Sequence, residues 1–363
     1  MVFLVTAVVT VLAACSARAP VHLFEKRLPL LTWVGEFTRP AGTILPQQAS
    51  AFRFGSLSGL APDERSQQWV AAIDDRTNSR VAWLTVTGGE KGMEVTVVRM
   101  LLLRPGVGMT DRVTTQADLE AIVALHDGTF LLAEEGHRID AEVWQPALLR
   151  MNRDGVVTAA IDFPPELQIA ADAKSGLRDN QGFESLTLTP KGRVITGLEQ
   201  PLIQDGVVTF ERGAAGRLIE FVPSGSTFRP GKQWRYMISP TPRLEGYPET
   251  CTDGENGLVE LLALSETRLI AMERACLTDR ESGRTANTVQ LFMVDLIEGD
   301  AIKQELLNFD AMLSRLSPAL AALENFEAMT FGPLIDGIPT LLIASDDNFR
   351  KTQKSAFLLL GMR

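Results

Sequence analysis

Histidine and cysteine are scarce: the 363 residues hold three of each, His22, His126 and His137 with Cys15, Cys251 and Cys276. That poverty argues against a histidine-rich transition-metal site, and no histidine or third cysteine lies near Cys251 and Cys276 to complete a zinc centre. Positive charge is also in deficit, 35 Lys and Arg against 45 Asp and Glu, and no Lys/Arg-rich run breaks the pattern. The electrostatic footprint that nucleic-acid binding requires is therefore missing. No Gly-x-Ser-x-Gly phrase occurs, which argues against the strand-to-helix nucleophile elbow of an α/β-hydrolase. The apolar stretch from Met1 to Ala14 is too short to span a bilayer.

What is present is ordinary for a globular chain, 45% hydrophobic and 22% charged, enough for a large core. The stretch Met1 to Ala14 suits a signal-peptide core, and Leu12-Ala13-Ala14-Cys15 resembles a lipobox, after whose cleavage Cys15 would carry the lipid. No Lys or Arg precedes the run, and a plain secretory signal is the alternative. Residues 1–14 are thus expected to be a removed signal of the lipoprotein type, followed by one domain over 28–363. The product would be exported, as a periplasmic or outer-surface lipoprotein anchored to a membrane. Outside the cytosol, Cys251 and Cys276 are expected to form a disulfide, since they flank neighbouring strands at the same sheet end.

One phrase recurs along the chain: an apolar residue, an acid, two smaller or apolar residues, then a strand ending in a second acid. Its copies are Leu119-Glu120-Ala121-Ile122 leading to Glu134 and Glu135, Phe183-Glu184-Ser185-Leu186 leading to Glu199, Val259-Glu260-Leu261-Leu262 leading to Glu273, and Phe326-Glu327-Ala328-Met329 leading to Asp346. In a fifth, Ser58-Gly59-Leu60-Ala61 leading to Asp74 and Asp75, Gly59 takes the place of the first acid. Around each copy, apolar runs alternate with turn residues such as His126-Asp127-Gly128 and Arg153-Asp154-Gly155, a strong hairpin signal. Long-period self-similarity of this kind predicts an all-β propeller of about five four-stranded blades, with a sixth if the long first unit or the N-terminal segment is split. The last copy ends after three strands, so Leu30 to Phe37 is expected to supply the fourth and close the ring. A β-sandwich fits matched four-strand units poorly. A short helix is predicted between Asn308 and Asn325 from apolar residues at helical spacing.

If first strands line the axis, Glu120, Glu134, Glu184, Glu199, Glu260, Glu273, Glu327 and Asp346 converge as an acidic ring. Crowded carboxylates need a cation or raised pKa values, and oxygen donors in such number suit calcium before magnesium. Each acid alone can instead brace neighbouring blades by accepting backbone or arginine hydrogen bonds. Arg76, Arg138, Arg274 and Arg350 with Lys351 follow the second acids and are placed to neutralise the ring or meet an anion.

The phrase Asn180-Gln181-Gly182-Phe183-Glu184-Ser185-Leu186 with Gly197-Leu198-Glu199, together with Asn325-Phe326-Glu327-Ala328-Met329 and Ala344-Ser345-Asp346-Asp347-Asn348, resembles the phytase-like, or esterase-like activity of phytase, family. The resemblance runs from about Gly35 to Arg363 and implies hydrolysis of a phosphoester or carboxylester. The chain departs from other phosphatases: it lacks Arg-His-Gly-x-Arg-x-Pro, and beyond Asp74-Asp75 it has no Asp-rich calcium loop. Ser58 and Ser185 have no histidine near in sequence. The expected function is calcium-assisted hydrolysis of a small anionic substrate such as a phosphate ester by a monomer, with Glu184, Glu327, Arg274 and Arg350 as catalytic residues. The alternative is a non-catalytic ligand- or protein-binding propeller anchored to the membrane.

Overall fold

Each repeat makes a four-stranded antiparallel meander, and the five meanders stand around one axis. The computed structural model describes residue 24 and residues 27–45, 52–88, 92–110, 116–139, 142–171, 173–243, 253–279, 282–320 and 322–363. Blade 1 comprises Leu57–Asp63, Gln68–Ile73, Arg80–Thr87 and Glu94–Leu102; blade 2 comprises Leu119–Ala124, Phe130–Glu134, Ala147–Met151 and Val156–Asp162. Blade 3 is Phe183–Leu188, Val194–Leu198, Ala214–Ser224 and Thr227–Ile238, and blade 4 is Asp253–Ala263, Arg268–Thr278, Thr285–Leu296 and Asp300–Asn308. Blade 5 takes Phe326–Phe331, Thr340–Ser345 and Lys354–Met362 from the C-terminus and Leu31–Pro40 from near the N-terminus. The first strands touch in cyclic order from blade 1 to blade 5 and back, so five blades close the ring.

Closure follows the expected route. Leu31 pairs with Met362 and Pro40 with Lys354, antiparallel, and Leu30 and Arg363 exchange backbone hydrogen bonds of 2.7 and 3.0 Å. This clasp ties the N-terminal strand to the C-terminal one, completes the fourth strand of blade 5 and closes the ring. Burial explains the sequence pattern: middle strands, covered on both faces, read as continuous apolar runs such as Leu341-Leu342-Ile343-Ala344, all fully buried. The outer strand Glu94–Leu102 alternates, with Val95 and Val97 inside and Glu94 and Thr96 outside. Aromatic rings lock blades together. Phe163 stacks on Phe183 at 3.7 Å between blades 2 and 3, and Trp83 meets Phe130 edge-on at 5.9 Å between blades 1 and 2.

The segment before blade 5 forms 3-10 turns, Phe309–Arg315 and Pro318–Leu320, not a continuous helix. Asn308 caps the first by accepting from Asp310 N at 2.9 Å, and Pro318 denies a longer helix its backbone donor. Phe309, Met312 and Leu320 still bury their side chains against blades 4 and 5. Residues 1–14, expected to be a signal, with Cys15 and Cys251, lie outside the described residues. Cys276 sits within a strand opposite Glu255, and no disulfide joins described residues. Among these residues no helix is long and apolar enough to cross a membrane.

Candidate metal and substrate site

Every first strand carries a β-bulge, at its second residue in blades 1, 2, 3 and 5 and at Val259 within the longer strand of blade 4, where the pairing register skips Ser58, Glu120, Glu184, Val259 and Glu327. A bulge frees one residue from the ladder and re-aims its side chain, a feature common at barrel rims and active sites. The residue following each second strand pairs with the one before the bulged pair: Asp74 N bonds Ser56 O, Glu135 N bonds Asp118 O, Glu199 N bonds Gly182 O and Asp346 N bonds Asn325 O. In blade 4 the equivalent residue, opposite Gly257, is Arg274.

The register corrects the sequence reading by one residue in two blades. Glu260 matches Gly59, Ala121, Ser185 and Ala328, not Glu184, and Glu134 and Glu273 lie one residue short of the ring position. A one-residue slip turns a side chain to the other face. Glu260 lies inside the axis, where its carboxylate accepts from the backbone N–H of Leu186 at 3.2 Å and Leu261 at 2.9 Å, with Met329 as a further donor. Glu273 points between blades 3 and 4 to Tyr236 Oη at 2.7 Å, Ser239 N, Asn256 Nδ2 and the Lys303 ammonium. Glu134 lines a separate small cavity with Gln145 and Asp162. At Gly59 the strands of blades 1 and 2 nearly touch; a Cβ there would stand 2.7 Å from Ala121 Cα. The glycine answers that approach and is no vacant acid position.

Of the expected set, the structure brings Glu120, Glu184, Glu199, Glu327 and Asp346 to one mouth of the axis and adds Asp74, Asp118 and Glu135. Two groups of three have ligand oxygens all within 4.8 Å of one another, Asp74 with Asp118 and Glu120, and Glu120 with Glu135 and Glu184. Glu135 Oε1 accepts from Gly182 N at 2.6 Å, yet its Oε2 and Asp118 Oδ1 are buried with no hydrogen-bond donor. Arg76 reaches over this end, pairing with Asp118 and bonding the Asn180 side chain. This contact gives the Asn-x-Gly phrase a physical role.

Burial raises the pKa of Glu120, Glu135 and Glu184 well above the usual carboxylate range, and neighbouring acids push further: Glu184 on Glu120, Asp118 on Glu135, Glu199 on Glu184. Across the ring, Arg274 pairs with Glu327 and lies 3.6 Å from Glu199. Burial still lifts Glu199 to about 7 and Glu327 to about 8 against the pull of that guanidinium. One cation shared by two acids leaves a proton on the group near neutral pH. Asp346 is fixed by Ser56 Oγ at 2.6 Å and Asn348 N at 2.7 Å. Arg350 is exposed at the same end and Arg138 turns away to Ala170 O.

Asp118 was missed because it precedes the repeated phrase, and only its offset before a bulged strand marks it. The oxygen-rich, histidine-free donor set with orphaned buried oxygens fits a hard divalent cation. At the opposite mouth lies a cavity of about 870 Å³ lined by Leu60, Ile122, Leu186, Leu261 and Met329, one from each blade. It holds none of the ring acids.

A five-bladed propeller with a carboxylate ring at one end of its axis is the class these features define. The family described as "Phytase-like: Esterase-like activity of phytase" matches residues 53–349, and the chain belongs to it. No curated protein matches. Among solved structures, an endo-arabinase from Bacteroides thetaiotaomicron VPI-5482 is similar at 8% identity and TM-score 0.47, covering 90% of this chain and 97% of that one. An exo-1,5-alpha-L-arabinanase from a bovine ruminal metagenomic library gives 8% identity and TM-score 0.42 over 85% and 93%, and a gluconolactonase from Xanthomonas campestris 11% and 0.30 over 93% and 99%.

Proposed function

We propose that the protein is a metal-assisted phosphoester hydrolase whose site is the acidic mouth of the axis. The observation that carries this reading is the pair of carboxylate triads, buried except for half-buried Asp74, that meet at Glu120 beside two arginines that reach the same ring. Glu120, Glu135 and Glu184, with Asp74 and Asp118, would hold calcium, which when bound supplies Lewis-acid polarisation of a phosphoryl oxygen and a more acidic water. Arg274, whose Nε has no hydrogen-bond partner, and exposed Arg350 balance the charge of the phosphoryl group. The Glu199–Arg274–Glu327 group holds a proton near neutral pH and would deliver it to the leaving oxygen as a water oxygen bonds to phosphorus, giving up its proton to solvent, and the P–O ester bond breaks.

In the same proposal the chain is exported and tethered through lipid on Cys15. The strand beginning at Leu31 starts at the face bearing the large cavity, opposite the acidic mouth. The competing reading, a non-catalytic binding propeller, draws on Glu260 and Glu273, whose carboxylates are fully occupied in joining blades. Hydrolysis of aryl phosphates and phytate by purified protein, with calcium and with a chelator across pH, decides between them. Calcium-dependent release of phosphate is expected, and its absence at every pH contradicts the hydrolase.

A further inference from the structure

The two carboxylate triads are not independent, because Glu120 belongs to both. We infer that this end of the axis is a two-cation site in which Glu120 bridges a pair of divalent ions, one held with Asp74 and Asp118 and the other with Glu135 and Glu184. The inference rests on the proposed hydrolase site and specifies its metal content.

Charge points to two ions and not one. Asp74, Asp118, Glu120, Glu135 and Glu184 are five carboxylates, and among the described residues Arg76 is the one guanidinium ion-paired with a member of the group, Asp118; five minus one leaves four negative charges when all are ionised, the charge of two divalent cations. The opposite side of the ring already has its own cation in Arg274, which occupies the place of a fourth second-strand acid. The break in acidity at blade 4 therefore confines the metal to blades 1 to 3.

Hydrogen bonding points the same way. Asp118, fully buried, belongs to one triad and Glu135, 1% exposed, to the other; each has a buried oxygen with no protein N–H donor, and each meets a neighbouring carboxyl of its own triad, Asp74 beside Asp118 and Glu184 beside Glu135. A buried carboxylate oxygen without a donor is costly unless a proton or a cation sits against it. Each triad thus contains one fully buried residue with such an oxygen, Asp118 in one and Glu135 in the other, which matches one ion in each. A carboxylate has two oxygens and four lone-pair directions, enough for Glu120 to serve both.

Isothermal titration of calcium into the metal-free full chain, without substrate, tests this. The unsubstituted protein should take up two ions per chain. Asp118→Asn should keep one ion, Glu135→Gln the other, and Glu120→Gln should weaken both at least tenfold. A single ion in the unsubstituted protein, or a Glu120→Gln variant that loses only one, overturns the inference. The count in the unsubstituted protein decides even where a variant fails to fold. Two bound ions without any hydrolysis would sink the hydrolase and support the bridge, whereas hydrolysis with one ion would do the reverse.

Discussion

Arg274 of blade 4 lies 3.6 Å from Glu199 of blade 3, and the two residues hold the same place in their respective blades. One repeat has thus replaced an acid by the cation that neutralises its neighbours on both sides. The adjacent Gly257 makes room: a Cβ there would stand 2.5 Å from Glu199 Cγ. Replacing Arg274 by Met removes the partner of two buried carboxylates and should cost about 3–5 kcal/mol in denaturant unfolding, the range for breaking a buried ion pair. Adding Glu327→Gln to that variant should recover part of the loss. Additive losses would show that the pair is not coupled.

Glu260 offers the contrasting case. Its carboxylate satisfies backbone donors from three blades at the centre of the axis. Glu260→Ala should therefore destabilise by roughly 3 kcal/mol or more, since buried donors lose their acceptor. Calcium affinity should change less than threefold in any variant that folds. A selective loss of calcium binding with stability intact would place Glu260 in the metal site after all.

Gly59→Ala probes the tightest approach between first strands. The new methyl would meet the Ala121 backbone, which cannot swing aside as a side chain end can. A loss of about 1–3 kcal/mol is expected, typical of overpacking, with the acidic mouth chemically unchanged. An unaltered unfolding midpoint would mean that the two strands separate freely.

Stability should also depend on pH in a way set by the ring. Glu199 and Glu327 have folded pKa values of about 7 and about 8, above the usual carboxylate value, so the native state binds protons more tightly than the unfolded chain. Their contribution is complete below the unfolded carboxylate pKa and is lost as pH rises through 7 and 8. Metal-free protein should accordingly melt at a higher temperature at pH 5.5 than at pH 8.5, and calcium should narrow the gap by favouring ionised carboxylates. A melting temperature that rises over this range without calcium would contradict the raised pKa values.

The architecture was legible because strand periodicity and repeated turns survive without any tertiary information. The closing strand was legible from the missing fourth strand of blade 5. The acids were harder to place. Glu120, Glu184 and Glu327 share the phrase and the bulge, but in blade 4 an acid one position later, Glu260, imitates the phrase while Val259 takes the bulge. Bulges leave no composition signature, so the one-residue offset of Glu134 and Glu273 was equally hidden. Asp118 and Arg76 come together through strand order, and nothing in their local sequence announces it.

Crystals of the protein soaked with calcium and phosphate, measured for anomalous scattering, test most directly whether the ring is a cation site. The expected result is strong anomalous density between Glu120, Glu135 and Glu184, with a second peak beside Asp74 and Asp118. Density absent from the mouth of the axis at saturating calcium, with Arg76 still on Asp118 and the acids protonated, would contradict it.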